Sequence, residues 1–210
     1  MSEIETTIAT DLLTIGAVTL RPKEPFTWAS GIHSPIYTDN RLTISYPAVR
    51  TRIADGLAQL IKTQYPDVQV IGGVATAGIP HAALVAERLN LPLVYVRSKP
   101  KDHGQGRQIE GRLDQQAKLV LIDDLLSTGG SVLKAAEAAR REGANVIGVA
   151  AIFSYQLPAL TANFEAAKTK FVTLTNYTTL IQTAQAHGQI DVDELALLHA
   201  WRKDPAHWQA

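Results

Sequence analysis

Three features of this 210-residue chain predict an α/β fold, a central, mostly parallel sheet flanked by helices. Strand-length apolar runs recur along it: VQVIGGVA, LPLVYV, KLVLID, ANVIGVAAIF and FVTLT. Segments with helical spacing, such as TAGIPHAALVAERL and SVLKAAEAARREG, stand between several of them. The runs are apolar throughout rather than alternating, as expected of strands covered on both faces.

In order along the chain, Ile4, Ile8, Leu12 and Ile15 recur at helical spacing, and Gly16 ends that helix. Residues 18–46 change character. Pro22, Pro25, Gly31 and Pro35 break them into short stretches, read as small strands or a cap. Pro47 opens a helix to about Ile61, with Val49, Ile53, Leu57 and Leu60 on one face. Pro80 suits the first turn of the helix after VQVIGGVA. Helical stretches are expected from Thr178 to Arg202. The terminal HAWRKDPAHWQA reads as a docked or fraying tail, with a metal role for His199 and His207 the weaker reading. The expectation is one domain over 1–210, its core at about 47–175, with a small hood from about 1–46 plus the C-terminal segment.

Twenty basic residues balance twenty acidic ones, so no global field favours nucleic acid or an anionic membrane. Cysteine is absent, which excludes disulfides, thiolate nucleophiles and cysteine metal sites, and suits a reducing cytoplasm. No basic stretch precedes an apolar run at the N-terminus, and no run approaches bilayer length. The expectation is a cytoplasmic protein with neither membrane nor nucleic-acid partner. One long segment, SKPKDHGQGRQIEGRLDQQA, fits no element. From Arg97 to Arg112 it sets five basic residues against two acidic, a local +3. Long aperiodic connections between core strands are usually functional lids or linkers.

The chemistry concentrates in VLIDDLLSTGGS. In parallel α/β sheets, ligands bind outside the carboxyl ends of the strands. There the apolar run delivers Asp123 and Asp124, and the turn that follows enters a helix. Such a turn aims backbone N–H groups and the positive end of the helix dipole at one point. Ser127, Thr128 and Ser131 add hydroxyl donors. An aspartate before a Ser/Thr/Gly turn is also ordinary capping chemistry. Two adjacent acids ending an apolar strand favour a ligand instead. An anion cradle beside carboxylates that accept from vicinal hydroxyls fits a sugar phosphate. Neither the Walker spacing nor GxGxxG is present.

VLIDDLLSTGGS resembles the phosphoribosyl-pyrophosphate (PRPP) signature of type I phosphoribosyltransferases. With SGIHSPIYTDNR, GVATAGIP and YVRSKPKDHGQG, in that family's order and spacing, the chain from about Phe26 to Phe153 resembles orotate phosphoribosyltransferase. The resemblance implies the type I phosphoribosyltransferase fold, and transfer of phosphoribosyl from PRPP to orotate, giving orotidine 5'-monophosphate and pyrophosphate. It implies Mg²⁺, carried by PRPP with no direct protein ligand, and a homodimer with sites shared between subunits. By similarity Asp123 and Asp124 bond the ribose hydroxyls. Leu125, Leu126, Ser127, Thr128, Gly129, Gly130 and Ser131 wrap the 5'-phosphate. Ala75, Thr76, Ala77 and Gly78 lie against pyrophosphate, which Arg97, Lys101 and His103 also reach. Lys101, His103 and Asp124 are the implied catalytic residues, and Ser127 and Tyr37 the orotate contacts. Arg41 either holds a carboxylate or braces the hood.

This sequence departs from some relatives, which carry lysine where it has Ala29, Ala77 and Ser98, and arginine near Tyr155. Lys99 and backbone amides near Ser127 are the candidates for the contacts those side chains make. Two alternatives share the signature: a phosphoribosyltransferase for another base, and a PRPP-binding regulatory protein.

Overall fold

The computed structural model describes residues 2–27, 33–99 and 107–208. The chain opens with α1 (Glu3–Thr14), whose start is closed by a capping box between Ser2 and Glu5. Four short strands follow, β1 (Val18–Leu20), β2 (Phe26–Thr27), β3 (His33–Ser34) and β4 (Ile36–Thr38). They pair as two antiparallel ribbons, β1 with β4 and β2 with β3. A 3-10 helix at Asn40–Ser45 completes this hood, and α2 (Pro47–Gln64) begins on its proline.

The core then runs β5 (Val70–Val74), α3 (Gly78–Leu89), β6 (Leu93–Val96), β7 (Ile109–Glu110), β8 (Lys118–Leu126), α4 (Gly130–Arg141), β9 (Asn145–Ser154), α5 (Pro158–Ala166) and β10 (Phe171–Asn176). Helices α6 (Tyr177–Ala186) and α7 (Val192–Lys203) end the chain. The six-stranded sheet has the order β10-β9-β8-β5-β6-β7 and is parallel except for β7. The α/β class expected from the sequence is the class observed.

Alternation explains why the strands are apolar throughout. Within β8, Val120 and Ile122 enter one core with α1, α2, α3, α6 and α7, while Leu119 and Leu121 enter the other with α4 and α5. All four are fully buried, each worth roughly 1.5–3 kcal/mol of transfer free energy.

Four details differ from, or sharpen, the sequence expectations. The segment expected to hold no element contains β7, which pairs Ile109 with Val96 and Glu110 with Tyr95. Two residues carry no periodicity, so only the open edge of β6 defines this strand. Strand β8 does not stop at its aspartates but runs on to Leu126, because the ten-residue β9 continues beside it as far as Ser154. Helix α5 was not anticipated, although Pro158 at its start and buried Leu160 and Phe164 give it a signal. The C-terminal segment is docked: Trp201 is fully buried, its ring 5.6 Å from Tyr177 and 5.9 Å from Tyr155.

Candidate active site

Strand order places the site. From β5 the chain moves outward to β6, then returns to the other side of β5 to lay down β8, β9 and β10. The order reverses between β5 and β8, so their carboxyl ends diverge into a crevice of the kind that binds ligands in open α/β sheets. Pairing of β8 with β5 ends at Gly73 and Ile122, whereas pairing with β9 continues past Asp123. Asp123 and Asp124 therefore sit where one flank of β8 has lost its partner strand.

The two carboxylates are held close together. The Asp124 N–H donates to Asp123 Oδ1 at 2.9 Å. Burial pushes both carboxyls above the ordinary range; for Asp123 the adjacent Asp124 charge adds to it, while for Asp124 the Asp123 contact and the Arg41 charge oppose it. Groups this poised favour partners that donate hydrogen bonds. Arg41 forms a two-point pair with Asp39, Nε to Oδ1 at 2.6 Å and Nη2 to Oδ2 at 2.8 Å.

Two helices point their N-termini at the crevice. No side chain caps α4, which starts from Gly129 at φ +79°, nor α3, which starts from Ala77. Gly129 lies over the Phe164 ring, which a Cβ would strike, and Asn163 donates to the Thr128 carbonyl at 2.9 Å. Helix α5 thus supports the 127–131 turn from below. Gly78 packs on the Ile122 carbonyl, leaving no room for a side chain and bringing the two turns together. The Ala75–Thr76 peptide is cis.

The segment from Leu125 to Ser131 borders two cavities. One, of about 480 Å³, is lined by Phe26, Thr27, Tyr37, Thr38, Leu125, Ser127 and Tyr155. The other, of about 370 Å³, includes Ala75, Arg97, Ser98, Gln108, Gly130, Ser131 and Lys134 in its lining. Among the described residues, the first is lined by rings and hydroxyls without a cation. The described lining of the second carries two cations, two exposed serines and the open start of α4.

The residues singled out in the sequence gather at this edge wherever they are described. Tyr37 and Ser127 share the first cavity; Ala75, Arg97, Gly130 and Ser131 share the second. Arg97 Nη1 pairs with Glu110 at 3.4 Å. Lys101, His103 and Ala29 lie outside the described residues. The sequence reading gave no role to Lys134, Gln108 or Asn40, although Asn40 stands within SGIHSPIYTDNR and Gln108 within the long basic segment. The one available signal is that Lys134 follows Ser131 and Gly130 at helical spacing.

This fold and site define a type I phosphoribosyltransferase. A family model described as phosphoribosyl transferase domain matches residues 45–186. The chain is 66% identical over 208 residues to the orotate phosphoribosyltransferase of Lactiplantibacillus plantarum, covering 99% of this chain and 98% of that protein. It is 61% identical over 208 residues to that of Enterococcus faecalis, covering 99% of each. Among solved structures, the orotate phosphoribosyltransferase of Aeropyrum pernix superposes with a TM-score of 0.72 at 27% identity, over 88% of this chain and 99% of that one. The chain belongs to the orotate phosphoribosyltransferase family.

Proposed function

We propose that this orotate phosphoribosyltransferase binds PRPP across the β5–β8 crevice and joins orotate to its ribose, giving orotidine 5'-monophosphate and pyrophosphate. The single observation that carries the reading is the carboxylate pair of Asp123 and Asp124 beside the uncapped start of α4. The pair accepts the two ribose hydroxyls, and the N–H groups of α4 take the 5'-phosphate. The turn from Ala75 to Gly78 and Arg97 hold pyrophosphate, with Lys134 on the same cavity wall. Orotate lies in the cavity of Tyr37, Ser127 and Tyr155, where stacking on a ring and hydroxyl contacts fix the base.

Bond breaking leaves positive charge on the ribose and negative charge on the leaving pyrophosphate. The chain contributes by fixing both reactants in line, keeping the leaving group among cations, and excluding water. Lys101 and His103, assigned by resemblance, stabilise the leaving group, and in a homodimer they reach the partner subunit's site. We assign Mg²⁺ to the substrate, whose pyrophosphate and ribose oxygens suit a hard ion. Among the described residues no three carboxylate or imidazole groups converge, and buried Asp123 with half-buried Asp124 is assigned to the ribose hydroxyls. When bound, the ion neutralises charge on the pyrophosphate. A cytoplasmic setting fits the absence of cysteine; among the described residues no helix is long and apolar enough to cross a membrane.

Three experiments test this. Orotate absorbance should fall on adding PRPP and Mg²⁺ together, with uracil and hypoxanthine inert as acceptors; turnover of either in place of orotate would reassign the base. Lys101→Ala should lower kcat far more than PRPP affinity. Mixing Lys101→Ala chains with Asp124→Asn chains should restore activity if sites are shared. Two impaired variants that gain no activity after verified subunit exchange would count against sharing.

A further inference from the structure

Beneath the carboxylate pair runs a short buried polar column that the reaction itself does not call on. Asn40, 1% exposed, donates from Nδ2 to the main-chain carbonyl of Asp124 at 2.8 Å. Thr43, fully buried, donates to the Asn40 carbonyl at 2.6 Å, and its hydroxyl meets His81 Nε2 at 3.4 Å. His81 is also fully buried, and burial holds its imidazole neutral by lowering its pKa to about 4. Asn40 and Thr43 belong to the 3-10 helix of the hood, Asp124 to β8, and His81 to α3 just after the Ala75–Gly78 turn. One chain of contacts therefore ties together the three segments that surround the crevice.

The position of the Asn40 amide is the telling detail. Beyond Ile122, β8 pairs with no β5 residue. A peptide carbonyl at such a buried edge is costly to leave without a donor. Asn40 supplies a donor to the carbonyl of the very residue whose carboxylate must face the ribose. Among the described residues, its own Oδ1 has no hydrogen-bond partner. The side chain is thus spent on a single contact, the one to Asp124.

We infer that Asn40 is a positioning residue for PRPP: through the Asp124 carbonyl it fixes the peptide that aims the Asp124 carboxylate, and so couples hood placement to ribose binding. The inference rests on the assignment of Asp124 to the ribose hydroxyls. A structural role alone would lower stability and weaken both substrates together; a positioning role acts on PRPP and only through Asp124.

The test is a double-mutant cycle on the full-length enzyme with Asn40→Ala, Asp124→Asn and the pair, reading KM for PRPP, KM for orotate, kcat and Tm. Asn40→Ala should raise KM for PRPP about tenfold, with KM for orotate changed less than twofold. In the Asp124→Asn background the same substitution should add little. Asn40→Leu keeps the size and removes the donor, and carries the cycle if the alanine variant does not fold. Full additivity overturns the inference, as does an unchanged KM for PRPP or a parallel rise in both KM values. If Asp124→Asn itself leaves PRPP binding intact, the assignment of Asp124 falls and takes the inference with it. An impaired Asp124→Asn beside a normal Asn40→Ala removes the inference alone.

Discussion

Helix starts at the site and helix starts away from it are finished differently. Helices α1, α6 and α7 are closed by Ser2, Asn176 and Asp191, whose side chains accept from their own first turns. Helices α2 and α5 place proline at the first turn, where a missing N–H costs nothing. Helices α3 and α4, which face the crevice, have no side-chain cap; Pro80 removes one N–H from the first turn of α3, and α4 has neither device. A helix start leaves N–H groups without internal partners, and a cap chain would compete for them with any anion. The contrast teaches that side-chain caps close helices that only support, while the starts of α3 and α4 at the crevice stay uncapped, as the phosphate contacts proposed above require.

Gly130→Asp should break that contrast with the largest effect. A Cβ at Gly130 meets nothing closer than Thr128 Oγ1 at 3.9 Å, so the substitution fits. A carboxylate there complements the helix dipole, so Tm should hold or rise. KM for PRPP should increase about a hundredfold as the carboxylate takes the anion's place. A stable variant with normal PRPP kinetics would move the 5'-phosphate elsewhere.

A smaller effect comes from the carboxylates beside that open start. The Asp123 carboxyl, pushed by burial to about 8, keeps a proton in the folded chain that the unfolded chain has already released above its ordinary range near 4. Stability of the unliganded enzyme should therefore fall as pH rises through that window. His81 works in the opposite sense: its lowered pKa makes stability rise between about 4 and 6.5. Thermal scans from pH 6.5 to 8.5 isolate the carboxylate. Asp123→Asn should flatten the decline and melt several degrees above the parent at the upper end. An equal slope in both proteins would rule out Asp123 as its source.

The closed helices give the smallest change. Asp191→Ala removes the α7 capping box with Glu194 and the exposed pair with Lys23. Tm should drop a few degrees while both KM values stay put. A shift in either KM would show that α7 communicates with the site.

Much of this was legible in the residues. The α/β class followed from uniformly apolar strands, and the proposed anion site was read from DDLLSTGGS, because carboxylates and a glycine turn have few other reasons to meet at a strand end. Strand β7 was not legible, since two residues define no period. Lys134 and Asn40 were not legible either, because a lysine inside a helix and an asparagine in a hood are unremarkable until the chain folds around them.

By itself the sequence determined the alternation of strand and helix, the carboxylate pair, the helix-start turn after it and the neutral charge. These depend on neighbours along the chain, whose periodicity and turn chemistry are local. Only the tertiary structure decided that the strand order reverses between β5 and β8, that β8 runs on past its last pairing with β5, through both aspartates to Leu126, and that a hood asparagine meets that edge. Those facts depend on which segments lie side by side across 84 residues of sequence, as Asn40 and Asp124 do, and no local pattern encodes such a neighbour.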